Sequence, residues 1–161
     1  MTCNLEHRIQ SNILGKFLYD RFRERIREDA GSAYKLSSNG LCHHNGGLDV
    51  TILDIYIPMD PEFCSQALAI INEEIDNACH SIDEQALAGI KRSMLLQYEQ
   101  QLKKDTYWQE RIQEYVMYNI DEYSKYHEVV KAQTSDSIAA FARELMSTGN
   151  RVEIVITPKK Y

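Results

Sequence analysis

Positive charge is in short supply in this sequence. Eighteen lysines and arginines face twenty-four aspartates and glutamates, for a formal charge of −6. That balance argues against a nucleic-acid protein, because phosphate binding needs a basic surface. No window approaches the roughly 18 uninterrupted apolar residues of a membrane-spanning helix. The N-terminus has no basic-then-apolar signal pattern, so the compartment stays open, with an exported or periplasmic parent among the options. The four cysteines, Cys3, Cys42, Cys64 and Cys79, include no C-x-x-C pair and fall on different predicted elements. A disulfide scaffold is not needed at this size, and Cys64 and Cys79 read most simply as small hydrophobes on a helix. There is no G-x-S-x-G and no Ser/His/Asp order, and Gly46-Gly47 is a turn rather than a phosphate loop. No internal repeat, low-complexity run or long linker divides the chain.

What is present is a single domain over 1–161. With 43% hydrophobic and 26% charged residues, it is long enough to bury a core. Leu5, Ile9, Ile13, Phe17, Phe22 and Ile26 recur at helical spacing over 4–28, with Asn4 as cap. Gly15 inside that helix costs about 1 kcal/mol relative to alanine and marks the close approach of another backbone. Arg21, Arg23, Arg25 and Arg27 alternate with acidic residues and read mostly as a solvated face. Residues 33–43 and 47–57 form a hairpin, with Thr51, Leu53, Ile55 and Ile57 toward the core. Pro58 stops the second strand, and Asp60-Pro61 opens a helix over 61–80 that buries Phe63, Ala67, Leu68, Ile71 and Ile75. Ser81 to Glu84 is a capping box for the next helix, whose stripe is Leu87, Ile90, Met94, Tyr98 and Leu102; the two are expected to form a helical hairpin. Asp105 caps a helix with Tyr107 and Trp108, and a shorter helix carries Tyr123 and Tyr126. A last helix runs from Thr134 or Ser135 to about Ser147. Residues 151–157 alternate as a third strand. The fold class is therefore α+β, a small antiparallel sheet of about three strands covered by a layer of helices. One sheet edge is expected to pair with the rest of a larger protein.

The stretch from Ile26 to Tyr34 places an arginine and a tyrosine on either side of a reversal. Arg27 offers a rigid fork of N–H donors and Tyr34 a phenolic O–H, a pair suited to gripping a carbonyl or carboxylate. Neither is a general base at neutral pH. Spacing alone favours a structural role: arginine complements the helix dipole and tyrosine suits a strand. The order of features adds to this. A helix containing Leu14-Gly15, then Arg27-Glu28-x-x-Gly31-x-x-Tyr34, a hairpin, a helix pair, Tyr107-Trp108 and a closing Asn150-Arg151-Val152-Glu153-Ile154-Val155 resembles the pitrilysin (insulinase) family of zinc metallopeptidases, specifically their C-terminal domain. The resemblance covers nearly the whole chain. It implies a metallopeptidase-like repeat domain that lacks H-x-x-E-H and closes a chamber, contributing an Arg and a Tyr seven residues apart, which fits Arg27 and Tyr34. This sequence departs from the pattern in having no second glycine beside Gly31.

The H-x-x-E-H motif holds zinc and activates its water. It is absent, and the nearest stretch, Cys3-Asn4-Leu5-Glu6-His7, reads as coincidence at a helix start. Cys42-His43-His44 puts three possible ligands in a row, but adjacent strand residues point to opposite faces. His80 and His127 read as surface residues. The expectation is no catalytic or metal residue in this chain, with Arg27 and Tyr34 binding substrate. Zinc, and the glutamate that acts as general base, belong to a missing catalytic half. The resemblance thus implies a fragment of a two-half peptidase that hydrolyses peptides. Its partners are a peptide substrate and an H-x-x-E-H domain in the same parent or a partner subunit. A structural or partner-binding scaffold is the alternative, and a free-standing metalloenzyme using Cys42, His43 or His44 is a third reading.

Overall fold

The computed structural model describes residues 2–30, 35–45 and 47–156, with the side chains of 27–30 and 45 excepted. Its organising element is helix α1, Leu5–Ala30. Asn4 caps it, its side-chain oxygen accepting from the His7 N–H at 2.8 Å. Of the expected stripe Ile9, Ile13, Phe17, Phe22 and Ile26 are buried and Leu5 is half-buried, and Leu14 and Leu18 join the buried set. Adjacent apolar pairs widen the stripe beyond one face, so α1 can be covered on two sides.

One side is covered by an antiparallel hairpin of β1 (Ser37–Asn45) and β2 (Leu48–Tyr56). Leu41 stands opposite Ile52 and Cys42 opposite Thr51. Gly47 takes φ +86 in the turn, a conformation that glycine adopts without strain. Period-two alternation sends Leu53 and Ile55 to the core and leaves Ile52 and Tyr56 exposed, the face assignment the sequence pattern implies. The hairpin can approach α1 because two glycines face each other. A Cβ on Gly15 would stand 2.3 Å from the Gly40 nitrogen, and one on Gly40 would stand 1.7 Å from the Ser11 carbonyl oxygen. Gly15 therefore does mark a close backbone approach; its partner Gly40 has no signal in the sequence pattern.

The other side is covered by helices. A 3-10 turn, Pro61–Phe63, leads into α2 (Cys64–His80), followed by α3 (Glu84–Gln101), α4 (Asp105–Tyr118), α5 (Glu122–Ala132) and α6 (Ser135–Ser147). The expected hairpin of the fourth and fifth elements does not form as such: α2 lies mainly against α1 and α6, and α3 against α1 and α5. The long apolar face of α1 outcompetes their mutual packing. The cap of α3 is Asp83 rather than Ser81, its carboxylate accepting from the Ala86 N–H at 2.7 Å. Lys104 occupies the cap position of α4, so Asp105 is its first residue. Thr134 caps α6 in a reciprocal box with Ser137.

The third strand expected at 151–157 is not formed among the described residues: the sheet has two strands, and 151–156 carry no regular structure. Val152, Ile154 and Ile156 are 84%, 76% and 89% exposed. Alternation gives a segment the capacity to be a strand, but only a hydrogen-bonded neighbour makes it one. The α+β class with a small antiparallel sheet stands nonetheless.

Candidate functional site

Arg27 occupies the last part of α1, Leu5–Ala30. The side chain of Arg27 and the whole of Tyr34 lie outside the described residues. Immediately before them the helix is firmly anchored. Ile26 is buried in the core, and Arg21 and Arg25 converge on one carboxylate, Glu74 of α2. Arg21 Nε donates to Glu74 Oε2 at 3.0 Å, and Arg25 Nη1 to Oε1 at 2.8 Å. Glu74 is only 2% exposed. Burial alone would raise its pKa, but the hydrogen bonds and charges of the two arginines hold it below the usual carboxylate range. The arginine series is thus only partly the solvated face its sequence suggests: Arg23 is exposed, whereas Arg21 and Arg25 clamp α1 to α2. An open depression beside the clamp is lined by Asp20, Glu24 and Asp83. Arg21 also lines it and is paired with Glu24 and with the buried Glu74, whose carboxylate is thus already engaged.

A second charged cluster lies at the opposite end. Glu122 is buried and takes hydrogen bonds from Arg8, Arg111 and the Tyr107 hydroxyl. Arg8 also reaches Glu114 at 2.5 Å. Burial beside Glu122 pushes the Tyr107 phenol far above its ordinary value. The Tyr98 hydroxyl donates to the Tyr123 carbonyl at 3.1 Å, and its ring stacks on Tyr126 with centroids 4.1 Å apart. Tyr98 and Tyr107 have buried bodies and bonded hydroxyls, an ordinary way to pack a phenol at the edge of a core. Neither Glu74 nor Glu122 stands out in the sequence, since a buried carboxylate is spelled like an exposed one.

The candidate metal ligands separate. In β1 Cys42 is buried, His43 exposed and His44 half-buried, so His43 points away from its neighbours. Near the N-terminus Cys3 is buried while Glu6 is exposed. Among the described residues no three His, Cys, Asp or Glu side chains are placed to hold a metal ion. His44 is instead tied to Asp49 at 2.5 Å and stacked on Tyr118 at 4.0 Å. Cys3 is held by its backbone N–H donating to Asp49 Oδ2 at 2.8 Å, and the Cys42 sulfur accepts from the Thr51 hydroxyl at 3.5 Å. His80 and His127 are exposed.

The described site residues are engaged in pairs that fasten elements together, and the fold is a long helix sandwiched between a hairpin and a helical layer. Residues 8–94 match the family described as the peptidase M16 inactive domain. The chain belongs to that family, as its resemblance to the C-terminal domains of pitrilysin-type peptidases implies, and it is a domain without catalysis of its own. No curated protein matches it. Among solved structures, it is similar to the periplasmic protease PqqL from Escherichia coli, with 19% identity and a TM-score of 0.71 over 89% of this chain. The ferredoxin protease FusC in complex with Arabidopsis ferredoxin gives 16% identity and a TM-score of 0.71 over 89%. A conserved protein from Enterococcus faecalis gives 20% identity and a TM-score of 0.68 over 86%. The chain spans 16% of the PqqL chain, 16% of the FusC chain and 32% of the Enterococcus chain.

Proposed function

We propose that this chain is the non-catalytic domain that closes the chamber of a zinc metallopeptidase and binds its peptide substrate through Arg27 and Tyr34. The observation that carries the reading is the match of residues 8–94 to an inactive peptidase domain, a span that includes both residues. The two proteases similar in fold support it, since each embeds such a fold in a much longer chain. The zinc and its H-x-x-E-H helix then reside in another part of the parent or in a partner subunit. Arg27 and Tyr34 donate to the substrate backbone or to the oxyanion that develops on it. The clamp of Arg21 and Arg25 on Glu74 fixes the helix that leads to Arg27. A donor aimed at developing charge in a dry site lowers the barrier by about 3 kcal/mol.

The test is Arg27→Ala and Tyr34→Phe in the full parent protein, with peptide turnover, zinc content and circular dichroism measured together. The expected result is a turnover loss of about 100-fold in kcat/KM for either variant, with zinc and fold unchanged. Full turnover in both would favour the scaffold reading instead.

A further inference from the structure

We propose that the outward face of α4 is a self-association surface, through which two copies of this chain pair their α4 helices antiparallel about a two-fold axis. The helix is built inside out. Tyr107, Arg111 and Glu114 follow one another by four and then three residues and so share the face turned to the body of the protein. Tyr107 is buried there, and Arg111 and Glu114 are half-buried. Arg111 is paired with Glu122 and with Glu114, the latter at 3.0 Å, and Glu114 also takes Arg8. The apolar residues point the other way. Ile112, Tyr115, Val116 and Met117 are all between 55% and 76% exposed. A surface helix ordinarily keeps its apolar stripe against the core and its charges in water, so the reversal marks a face that another body covers.

The charge of that face selects a second copy as the covering body. In a two-fold contact a patch meets its own image, and a charged patch therefore repels itself. With a formal charge of −6, much of this chain's surface is unsuited to such a meeting. The α4 stripe is suited to it, because Gln109, Ile112, Gln113 and Val116 are uncharged and exposed. Glu110 at its flank is paired with Arg111 at 3.6 Å. The other exposed apolar sets carry charges among them: Asp54 shares the outward face of the hairpin with Ile52 and Tyr56, and Arg151 and Glu153 alternate with Val152 and Ile154. Ile112 and Val116 are one turn apart, so an axis between them sets Ile112 of one copy against Val116 of the other, twice over. Tyr115 flanks this centre, and the two Asp105 carboxylates fall at opposite ends. A single pair of helices this short covers little area, at the low end of specific interfaces, so the association is weak and concentration-dependent. Neither Arg27 nor Tyr34 lies on α4, and the pairing stands independently of peptide binding.

The experiment is analytical ultracentrifugation of the full chain from the micromolar to the near-millimolar range. The mass is expected to rise from one chain to two and to stop there. Ile112→Glu or Val116→Glu should weaken the association by roughly 100-fold or more, with the thermal midpoint of the dilute chain unchanged. Ile52→Lys on the hairpin and Ile154→Asp on the tail should leave it as it is. An Ile112→Lys/Val116→Lys variant and an Ile112→Glu/Val116→Glu variant should each be monomeric, and mixing them should restore a dimer that holds one of each. A mass of one chain at every concentration, growth beyond two chains, or association that survives Val116→Glu would overturn the proposal. So would association lost equally in Ile52→Lys, or folded Lys and Glu variants that fail to pair when mixed.

Discussion

Glu74 shows how far one side chain can differ from its sequence neighbours. Its buried carboxylate is bound by Arg21 and Arg25, and removing the charge leaves them only their more exposed partners, Glu24 and Glu73. We expect Glu74→Gln to cost roughly 2 kcal/mol at neutral pH, measured by urea unfolding. The pH dependence has a defined sign. The folded carboxyl titrates below its ordinary value, whereas in the unfolded chain it titrates near 4.3. On acidification the unfolded state therefore takes up the proton first, and the stabilisation shrinks as pH falls below about 4.3 through the folded value. The gap between wild type and Glu74→Gln should narrow between pH 5 and pH 3. A gap that stays constant across that range would mean the arginines do not hold the carboxylate ionised.

At the scale of elements, the contact of α1 with β1 is set by two missing Cβ atoms. Gly15→Ala would drive a methyl group into the Gly40 backbone. Backbone cannot swing aside as a side chain can, so the helix and hairpin must part. We expect a loss of about 3 kcal/mol, read as a lowered thermal midpoint, although alanine is intrinsically the better helix former. A midpoint at or above wild type would show that the two elements are free to separate.

The α1 stripe, the inward face of β2 and the buried run of α3 were all legible in the sequence, because each follows a period that burial enforces. Gly40, Glu74 and the Cys3–Asp49 hydrogen bond were not, since each depends on what a distant residue brings. The α2 stripe shows the limit. Its centre is Ala67, Ile70, Glu74 and Ala78, and reading Ile71 and Ile75 as its middle treats every acidic residue as solvent-facing. The strand read at 151–157 errs in the opposite way, since its pattern is sound and only its neighbour is missing.

For the molecule as a whole, the contrast lies between a densely buried α1 and apolar side chains exposed on three separate elements. Leu41, Leu48, Ile52 and Tyr56 stand on the outward face of the hairpin, Ile112, Val116 and Met117 on α4, and Val152, Ile154 and Ile156 on the tail; all are exposed. These positions contribute little to the stability of the chain alone, because a side chain already in water loses nothing on replacement. Ile154→Asp should therefore leave the unfolding free energy of the isolated chain within about 0.5 kcal/mol, whereas Leu18→Ala, at a fully buried position on α1, should cost about 3 kcal/mol. On the function proposed above, the remainder of a parent peptidase would cover this tail. There Ile154→Asp places a charge at a buried contact and should lower the thermal midpoint and speed limited proteolysis. The two backgrounds give the variant opposite outcomes, and the comparison needs no activity assay. If the parent tolerates Ile154→Asp as well as the isolated chain does, the tail stays in water there too, and the covering of this face falls with it.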